Sequence, residues 1–382
     1  MFDPAFIGLL TEAVGEEKAS VVLDALSSEP SVSIRLNPAK LKEPPFPDAT
    51  PVPWSPYGLL LPERPVFTLD PLFHAGCYYV QDSSAMAVGE VFRRCMDLLP
   101  ADPVVLDLCA APGGKTTDLS ASLRGRFGDG FTLMANEVIR GRFRILRDNV
   151  AAWGDPRTGV VSRDPSAFPD RPVFDAVLAD VPCSGEGMFR KDPGAVQDWS
   201  RATVDFCAAR QRRILSDIWP SLKEGGLLVY STCTFNRLEN DGNVAWIISE
   251  LGAEMLDPGD LPGVERTEYG RLLLPGFVPG EGQYAAVLRK TSPAGPPYRG
   301  DILKDLGAEM PGVPPDGTLP VCDLDRETAL RYLHGEALRL PDAPKGLLMM
   351  TYLGHPLGPA KNLGTRCNNL YPKERRIRMD IR

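Results

Sequence analysis

Histidine is scarce in this chain, which has only three among 382 residues: His74, His334 and His355. Hydroxyl and thiol nucleophiles are commonly activated by a neighbouring histidine. The scarcity therefore disfavours histidine-based chemistry, and we expect acid–base work to fall to carboxylates or cysteines.

Closely paired cysteines are also missing. The eight cysteines are scattered along the chain, and no two of them form a CxxC pair. Zinc sites and disulfide frameworks usually show such spacing. We therefore expect reduced thiols and no metal site. The cysteines are Cys77, Cys95, Cys109, Cys183, Cys207, Cys233, Cys322 and Cys367.

Long apolar runs are absent as well. No run approaches the roughly 18 residues of a membrane span. The first residues, MFDPAFIGLLTEAVGEEKAS, lack the basic start and uninterrupted apolar core of a signal peptide. The expectation is a cytoplasmic protein without a membrane partner.

A strongly basic overall charge is missing too, since the net charge is -8 at pH 7. The distribution of charge nevertheless matters more than its total. Residues 361–382 carry seven basic residues against Glu374 and Asp380. On its own, such a segment is more often a solvated tail than a phosphate-binding surface. The basic residues are Lys361, Arg366, Lys373, Arg375, Arg376, Arg378 and Arg382.

Two proline-rich stretches resemble boundaries between compact units. Residues 44–65 contain eight prolines, and residues 291–297 read TSPAGPP. The length allows two or three domains of roughly 100 to 200 residues each. We expect an N-terminal extension, a central domain and an appended α+β domain. Their ranges are 1–75, 76–290 and 298–382.

The central part alternates short apolar segments, rich in valine and leucine, with stretches of helical spacing. This alternation predicts an α/β fold with a doubly wound, Rossmann-like parallel sheet that binds ligands at the carboxyl ends of its strands. Met96, Leu98 and Leu99 are expected in its core. The five apolar segments are VVLDLC (104–109), FTLMANE (131–137), GVVSRD (159–164), FDAVLADV (174–181) and LLVYSTC (227–233).

A glycine turn joins the first predicted strand to a helix that starts near Lys115. Gly113 and Gly114 would let the backbone approach a ligand, and amides at a helix N-terminus favour negative charge. The sequence GKT at 114–116 is not a P-loop, because that motif requires glycine where this chain has Cys109. A tight turn without a ligand remains the alternative at this point.

Acidic residues end three of the predicted strands: Glu137, Asp164 and Asp180. A carboxylate after the second strand of such a sheet can accept two hydrogen bonds from ribose hydroxyls. One such residue is by default a surface residue. Three on one predicted edge, beside a glycine turn, suggest a nucleoside site.

Two cysteines are predicted at the same edge. Cys183 lies in ADVPCSGEGMFRKDP after the fourth strand, and Cys233 ends the fifth. Packing is the default role, because free cysteine is among the most buried residue types. Two thiols on one edge, without metal-ligand neighbours, indicate chemistry instead.

Several segments resemble the Nop/Sun family of RNA cytosine-5 methyltransferases. LDLCAAPGGKTT, DVPCSGEGMFRKDP and YSTCTFNRLEN are similar to its motifs I, IV and VI, in family order. CYYVQDSSAM (77–86) resembles the segment that leads into the catalytic domain, and SIRLNP (33–38) resembles the N-terminal extension. GLLMMTYLGHPLGPAKNLGTRCNNLYPKERR is similar to the PUA-like domain of the bacterial branch that modifies 16S ribosomal RNA.

The chain departs from the family pattern at two places. The family tends to have an aromatic residue in the LG-x-x-K turn, where this chain has Pro359 and Ala360. Arg163 stands where the family often has asparagine. The first departure bears on RNA affinity or site choice, and the second on the neighbouring Asp164.

The resemblance implies an S-adenosylmethionine-dependent enzyme that methylates C5 of cytidine in RNA through a covalent cysteine–C6 adduct. It implies Cys233 as nucleophile, Cys183 in product release and Asp180 as the contact to N3. The expected RNA is 16S ribosomal RNA or the small ribosomal subunit. The implied cofactor contacts are Cys109, Ala110, Ala111, Pro112, Gly113, Gly114, Lys115, Glu137, Asp164 and Asp180.

Three alternatives stay open. The substrate could be transfer RNA, or the chain could be a ribosome-assembly factor that binds RNA without turnover. In DNA cytosine-5 methyltransferases the nucleophile is the cysteine of motif IV, which would make Cys183 the nucleophile and Cys233 a packing residue. Beside an RNA enzyme, the basic segment 361–382 is better explained as a phosphate contact than as a solvated tail.

Overall fold

The computed structural model describes residues 2–311 and 319–381. Three β-sheets, of four, nine and four strands, form its framework. The N-terminal elements are α1 (Pro4–Val14), α2 (Glu16–Leu26), β1 (Val32–Leu36), β2 (Thr50–Pro51), β3 (Gly58–Leu61), α3 (Pro71–His74) and β4 (Tyr78–Val80).

The first sheet has the strand order β2-β3-β1-β4 and is antiparallel throughout. The proline-rich segment 44–65, predicted to be a boundary, is instead part of this sheet, because it contains β2 and β3. Between them Trp54 is buried, and its indole N–H donates to the Ser83 carbonyl over 2.7 Å. Prolines are tolerated here because β2 is a two-residue edge strand.

The central elements follow in chain order. They are α4 (Ser83–Arg93), β5 (Val104–Asp107), α5 (Gly114–Phe127), β6 (Thr132–Asn136), α6 (Arg140–Trp153), β7 (Thr158–Val161), β8 (Phe174–Asp180), α7 (Pro193–Asp198), α8 (Arg201–Ile218), β9 (Leu222–Thr232), α9 (Asp241–Trp246), β10 (Ala253–Leu256), β11 (Glu265–Arg266), β12 (Arg271–Leu273) and β13 (Gln283–Lys290).

The central sheet confirms the predicted doubly wound α/β fold. Its order is β11-β12-β13-β9-β8-β5-β6-β7, with β10 paired to β13. The strands from β5 to β9 run parallel, and β13 runs antiparallel to β9. Since β5 is flanked by both β6 and β8, the strand order reverses there, which opens a ligand crevice at the carboxyl ends.

Each of the five predicted apolar segments overlaps one of these parallel strands. These strands could be recognised in the sequence as continuous apolar runs, because strands covered on both faces need apolar residues at nearly every position. Met96 is buried as expected, but Leu98 is 55% exposed, so that prediction was wrong. Leu98 lies in a single 3-10 turn, Met96–Leu98, and only part of such a turn can face the core.

The C-terminal elements are α10 (Ile302–Asp305), β14 (Val321–Leu324), α11 (Arg326–His334), β15 (Gly346–Tyr352), β16 (His355–Asn362) and β17 (Cys367–Asn369). The last four strands form a sheet in sequence order. The segment around α10 packs on the central domain, where Ile302 and Leu306 join its core and Glu309 pairs with Val160 of edge strand β7.

The two ends of the chain share one hydrophobic core. Ile34 of β1 and Leu72 of α3 belong to the same buried cluster as Leu333 of α11 and Met350 of β15. The N-terminal and C-terminal sheets are therefore packed together beside the central domain. Within residues 2–311 and 319–381, every helix is too short or too polar to cross a bilayer.

Candidate active site

Residues from several of the predicted motif segments lie at the carboxyl edge of the central sheet. Asp107 ends β5, Asn136 ends β6 and Asp180 ends β8. Cys233 follows β9 directly, and β8 pairs with β9 so that Asp180 lies opposite Ser231. The topology thus brings together motifs that are far apart in sequence.

The two thiols are in contact. Cys183 Sγ and Cys233 Sγ are 3.3 Å apart, and both cysteines are free and partly exposed. The hydrogen bond to Cys233, together with burial, raises the pKa of Cys183 well above its ordinary value. Cys183 therefore stays a protonated thiol at neutral pH.

An ion pair lies next to the thiols. Lys115 Nζ is 2.9 Å from Asp180 Oδ2, while Asp180 Oδ1 accepts from Ser231 Oγ at 2.6 Å and Gln283 Nε2 at 3.2 Å. Burial alone would lower the pKa of Lys115, but the attraction to Asp180 outweighs it and the pKa lies above its ordinary value. The Lys115 charge also interacts with the Cys233 sulfur.

Glu186 joins the loop that carries Cys183 to the loop that carries Cys233. Its buried carboxylate accepts from the backbone N–H groups of Phe235, at 2.6 Å, and Asn236, at 3.2 Å. Asn236 Nδ2 and Trp199 Nε1 donate to its other oxygen, at 2.9 and 3.3 Å. The Gly187 N–H also donates to the Cys233 carbonyl over 2.8 Å.

Glu239 makes a second connection between these loops. It accepts from the Ser184 N–H at 3.0 Å, Gln211 Nε2 at 2.7 Å and Asn236 Nδ2 at 2.9 Å, and burial raises its pKa. Sequence reasoning missed Glu186 and Glu239. Their signal was available, because both are acidic residues inside the motif segments, but the contacts that connect the two loops are made by residues 49 to 55 positions apart.

The glycine turn after β5 has the conformation that its glycines allow. Gly113 has φ 112°, in the left-handed region, and a Cβ there would lie 3.3 Å from Leu146 Cδ1. Buried Asp107 accepts from Thr116 Oγ1 at 2.6 Å, and burial raises its pKa to about 7. Its second oxygen has no partner among the described residues.

The rest of the predicted loop is fixed by backbone contacts. The Ala110 N–H donates to the Asn136 carbonyl at 2.8 Å, and Arg142 Nη2 donates to the Ala111 carbonyl at 2.7 Å. Pro112 is exposed, whereas Gly114 is buried at the start of α5. Cys109 is partly exposed, and burial of its sulfur raises its pKa.

The other two predicted acids differ in their surroundings. Glu137 is buried; it accepts from the Ile139 N–H at 2.8 Å and lies 3.4 Å from Arg142 Nη1. The side chain of Asp164 is 45% exposed and lies 3.6 Å from Arg213. It accepts from Ser166, which lowers its pKa. Glu137 therefore lies beside the glycine turn, whereas the contacts of Asp164 are with its own turn and α8.

The N-terminal sheet supports the glycine turn through a buried arginine. Arg35, in SIRLNP, donates from Nη2 to the Gly114 carbonyl at 3.0 Å and from Nε to Gln81 Oε1 at 2.8 Å. Its guanidinium also lies 4.7 Å from the centre of the Trp153 ring. Sequence reasoning gave Arg35 no role, since the partner helix is about 80 residues away.

The fold and the site together define a class: a Rossmann-like methyltransferase domain with an N-terminal and a C-terminal domain attached. A family model described as 16S rRNA methyltransferase RsmB/F matches residues 96–289. The N-terminal domain of 16S rRNA methyltransferase RsmF matches residues 2–83, and the methyltransferase RsmF PUA domain matches residues 320–377. The chain belongs to this RsmB/F family.

Curated relatives agree with this assignment. The chain is 37% identical over 265 residues to ribosomal RNA small subunit methyltransferase F of Cronobacter sakazakii, a match covering 65% of this chain and 52% of the relative. It is 34% identical over 349 residues to the Escherichia coli O157:H7 protein of the same name, covering 83% and 69%. The chain thus spans about half the length of the first relative.

Solved structures show the same fold. A methyltransferase homologue from Pyrococcus horikoshii has a TM-score of 0.62 at 25% identity, covering 75% of this chain and 99% of that one. NSun6 from Pyrococcus horikoshii has a TM-score of 0.63 at 20% identity, covering 76% and 99%. Among residues 2–311 and 319–381, no group of three or more His, Cys, Asp or Glu side chains is arranged to bind a metal.

Proposed function

We propose that this protein transfers a methyl group from S-adenosylmethionine to C5 of a cytidine in RNA, with 16S ribosomal RNA as the substrate. The observation that carries the proposal is the pair of thiols 3.3 Å apart, next to the Lys115–Asp180 ion pair. The names of the curated relatives, ribosomal RNA small subunit methyltransferase F, support the choice of RNA. The PUA domain match supports RNA binding by the C-terminal domain.

The arrangement of the two thiols supports different roles for them. Cytosine C5 is a weak nucleophile, but addition of a thiolate to C6 converts the ring into an enamine whose C5 is reactive. Cys233 is proposed as that nucleophile, because its sulfur interacts with the positive charge of Lys115 at the sheet edge. If Cys183 were the nucleophile instead, Cys233 would be only a packing residue. The partial exposure of Cys233 argues against that role.

Cys183 is proposed to act in product release. Because its pKa is raised, it is a thiol that can exchange a proton with its neighbour without competing for C6. After methyl transfer, a solvent base removes the C5 proton, the electron pair of that C–H bond re-forms the C5–C6 double bond, and the C6–Sγ bond breaks with its electron pair returning to the Cys233 sulfur. Asp180, held by Lys115 and Ser231, is proposed to contact N3 while the thiolate adds.

The glycine turn fits S-adenosylmethionine, which supplies the methyl group when bound. The left-handed Gly113 leaves the backbone of the turn open, and the unpartnered buried oxygen of Asp107 is available for a donor. Glu137 is proposed to accept hydrogen bonds from the ribose hydroxyls. The implied contacts from Cys109 to Lys115 and Asp164 remain part of the proposal. NSun6 from Pyrococcus horikoshii was crystallised with SFG, a ligand of that protein.

We also propose that segments 1–75 and 298–382 bind the RNA around the target, on either side of the methyltransferase segment 76–290. The exposed basic residues of 361–381, such as Lys361, Arg366 and Arg378, are proposed phosphate contacts. Arg382 lies outside the described residues. Binding should then weaken as salt rises, because phosphate contacts release counterions.

The test is methyl transfer itself. The full chain is incubated with S-adenosylmethionine, labelled in its methyl group, and with 16S ribosomal RNA, either free or in small subunits. Bisulfite sequencing then locates the modified cytidine. Label in transfer RNA instead of 16S ribosomal RNA would show that transfer RNA is the substrate. If S-adenosylhomocysteine binds but no RNA is labelled, the proposed activity is wrong and the alternative of a non-catalytic RNA-binding factor is favoured.

A further inference from the structure

A cavity of about 350 Å³ lies where the three parts of the chain meet. Phe73 of α3 and Tyr79 of β4 line it from the N-terminal domain, Asn149 and Trp153 from α6, and Tyr371 and Arg375 from the C-terminal domain. None of the proposed catalytic residues lines it. Its volume is near the lower end of the ~300–1,000 Å³ range of small-molecule sites.

The lining combines aromatic rings with a cation. Tyr79 is only partly buried, so its ring is accessible from the cavity. One face of the Trp153 ring is already covered by Arg35. The Arg375 guanidinium lies 5.6 Å from the centre of the Tyr371 ring. Aromatic rings and arginine side chains are the groups on which unstacked RNA bases stack.

The charge around the cavity favours an anionic occupant. Helix α6, which forms one wall, also carries Arg140, Arg142, Arg144 and Arg147. Asp148 is the acidic side chain in the lining, and it is 3.3 Å from Arg147. His74, also in the lining, is bonded to the Thr68 carbonyl. The surroundings therefore suit a phosphate-bearing strand better than a neutral apolar molecule.

The cavity is connected to the glycine turn but separate from the thiols. Asn149 Nδ2 donates to the Pro112 carbonyl at 2.8 Å. Tyr79 adjoins the same turn, since a Cβ on Gly114 would lie 3.3 Å from its ring. Along α6, Asn149 is about 10 Å from Arg142, which contacts the turn. A strand that follows α6 would therefore reach both places.

We propose that this cavity binds one unstacked nucleotide of the substrate RNA, with its base against Tyr79 and its phosphate near Arg375. The bound nucleotide is distinct from the cytidine that is methylated. The inference rests on the proposed function for the identity of the RNA. It assigns a binding role to a junction of three domains, because none of the three forms the cavity alone.

The test measures binding of a 16S ribosomal RNA transcript to the full chain by filter binding. Tyr79→Leu removes the stacking ring and should weaken RNA binding about tenfold, whereas Tyr79→Phe keeps the ring and should stay within about twofold of wild type. Arg375→Gln should also weaken binding and reduce the slope of log K against log salt by about 0.7 to 0.9. Phe206→Leu removes an exposed ring on α8, outside the cavity lining, and should change nothing.

Two further readouts keep the outcomes apart. S-adenosylhomocysteine affinity should be unchanged in Tyr79→Leu; a parallel loss would mean that the ring only supports the glycine turn, and would overturn the proposal. If wild type methylates RNA but Tyr79→Leu binds it equally well, the cavity proposal fails and the proposed function stands. If RNA binding depends on Tyr79 but no methyl transfer occurs, the proposed function fails instead.

Discussion

At the scale of single residues, the site depends on buried carboxylates as much as on the thiols. Glu186 accepts hydrogen bonds from two backbone amides and three side chains, and the bonds from Phe235 and Asn236 hold the loop of Cys183 against the loop of Cys233. A carboxylate is acceptor-only when ionised, so it suits a position surrounded by donors. Asp107 is the contrasting case, since one of its oxygens is unpartnered among the described residues.

Replacing Glu186 should therefore destabilise the protein. Glu186→Ala leaves several buried donors unpaired and should lower the free energy of unfolding by about 2–4 kcal/mol. Glu186→Gln keeps one acceptor oxygen and should fall between Ala and wild type. Urea denaturation measures the change. Glu12→Ala, at an exposed position on α1, is the control and should stay within about 0.5 kcal/mol of wild type; an equal effect of both alanines would contradict the role of Glu186.

The raised pKa of Asp107 predicts a pH dependence of stability. Its pKa is about 7 in the folded protein against an ordinary 3.8, so the folded state binds the proton more tightly than the unfolded chain. The stability contributed by this group is present below the lower value and is lost as pH rises through the upper one. Wild type should therefore lose stability relative to Asp107→Asn between about pH 4 and about pH 7. Urea denaturation of both proteins across this range tests it, and a constant difference would refute it.

At the scale of elements, the glycine turn between β5 and α5 is the part whose backbone is most specialised. Gly113 precedes α5 with φ 112°, a conformation that residues with a Cβ rarely adopt. The turn is enclosed by contacts to Arg35 and Arg142, so it cannot relax freely.

A side chain at Gly113 should weaken cofactor binding. Gly113→Ala is expected to introduce about 1–3 kcal/mol of strain in the turn, which corresponds to roughly a tenfold or greater rise in the S-adenosylhomocysteine dissociation constant. Calorimetry measures it. Gly125→Ala is the matched control, because no atom lies within 4 Å of a Cβ there and α5 should gain up to ~1 kcal/mol. If the affinity for S-adenosylhomocysteine is unchanged in Gly113→Ala, the glycine turn does not bind the cofactor.

The elements were predictable from sequence where their signal is local. The five parallel strands are apolar runs because both faces are buried, and the motif cysteines follow two of them, Cys233 directly and Cys183 three residues after Asp180. The contacts of Glu186 and Arg35 were not predictable, because they depend on how loops and domains meet in space. The prediction of a domain boundary at segment 44–65 was wrong for a related reason. Prolines are typical of boundaries between domains, but here they lie around an edge strand of the N-terminal sheet.

At the scale of the whole molecule, the shared core of the first and last domains is the main finding that no local pattern signals. Residues about 300 positions apart, such as Ile34 and Leu333, are buried in one cluster. Helix α11 also reaches the N-terminal domain through Arg326, which donates to the Leu69 carbonyl at 3.0 Å. The two domains should therefore respond together to a change in either.

A substitution that creates a cavity beside α11 tests this coupling between the two domains. Leu333→Ala should lower stability by about 2–5 kcal/mol and increase hydrogen exchange in β1 of the N-terminal domain. Leu347→Ala, an exposed position in the same C-terminal domain, should leave β1 protection unchanged. Increased exchange confined to the C-terminal sheet would show that the two domains are energetically independent.

In the proposed mechanism, Cys233 attacks C6 and Cys183 assists release of the product. Covalent trapping on 16S ribosomal RNA that contains 5-fluorocytidine, with S-adenosylmethionine present and adducts resolved on denaturing gels, distinguishes these two roles. Cys233→Ala should form no adduct, Cys183→Ala should retain covalent adducts, and Cys322→Ala, in the C-terminal domain, should trap as wild type does. Trapping by Cys233→Ala together with its loss in Cys183→Ala would contradict the assignment and make Cys183 the nucleophile.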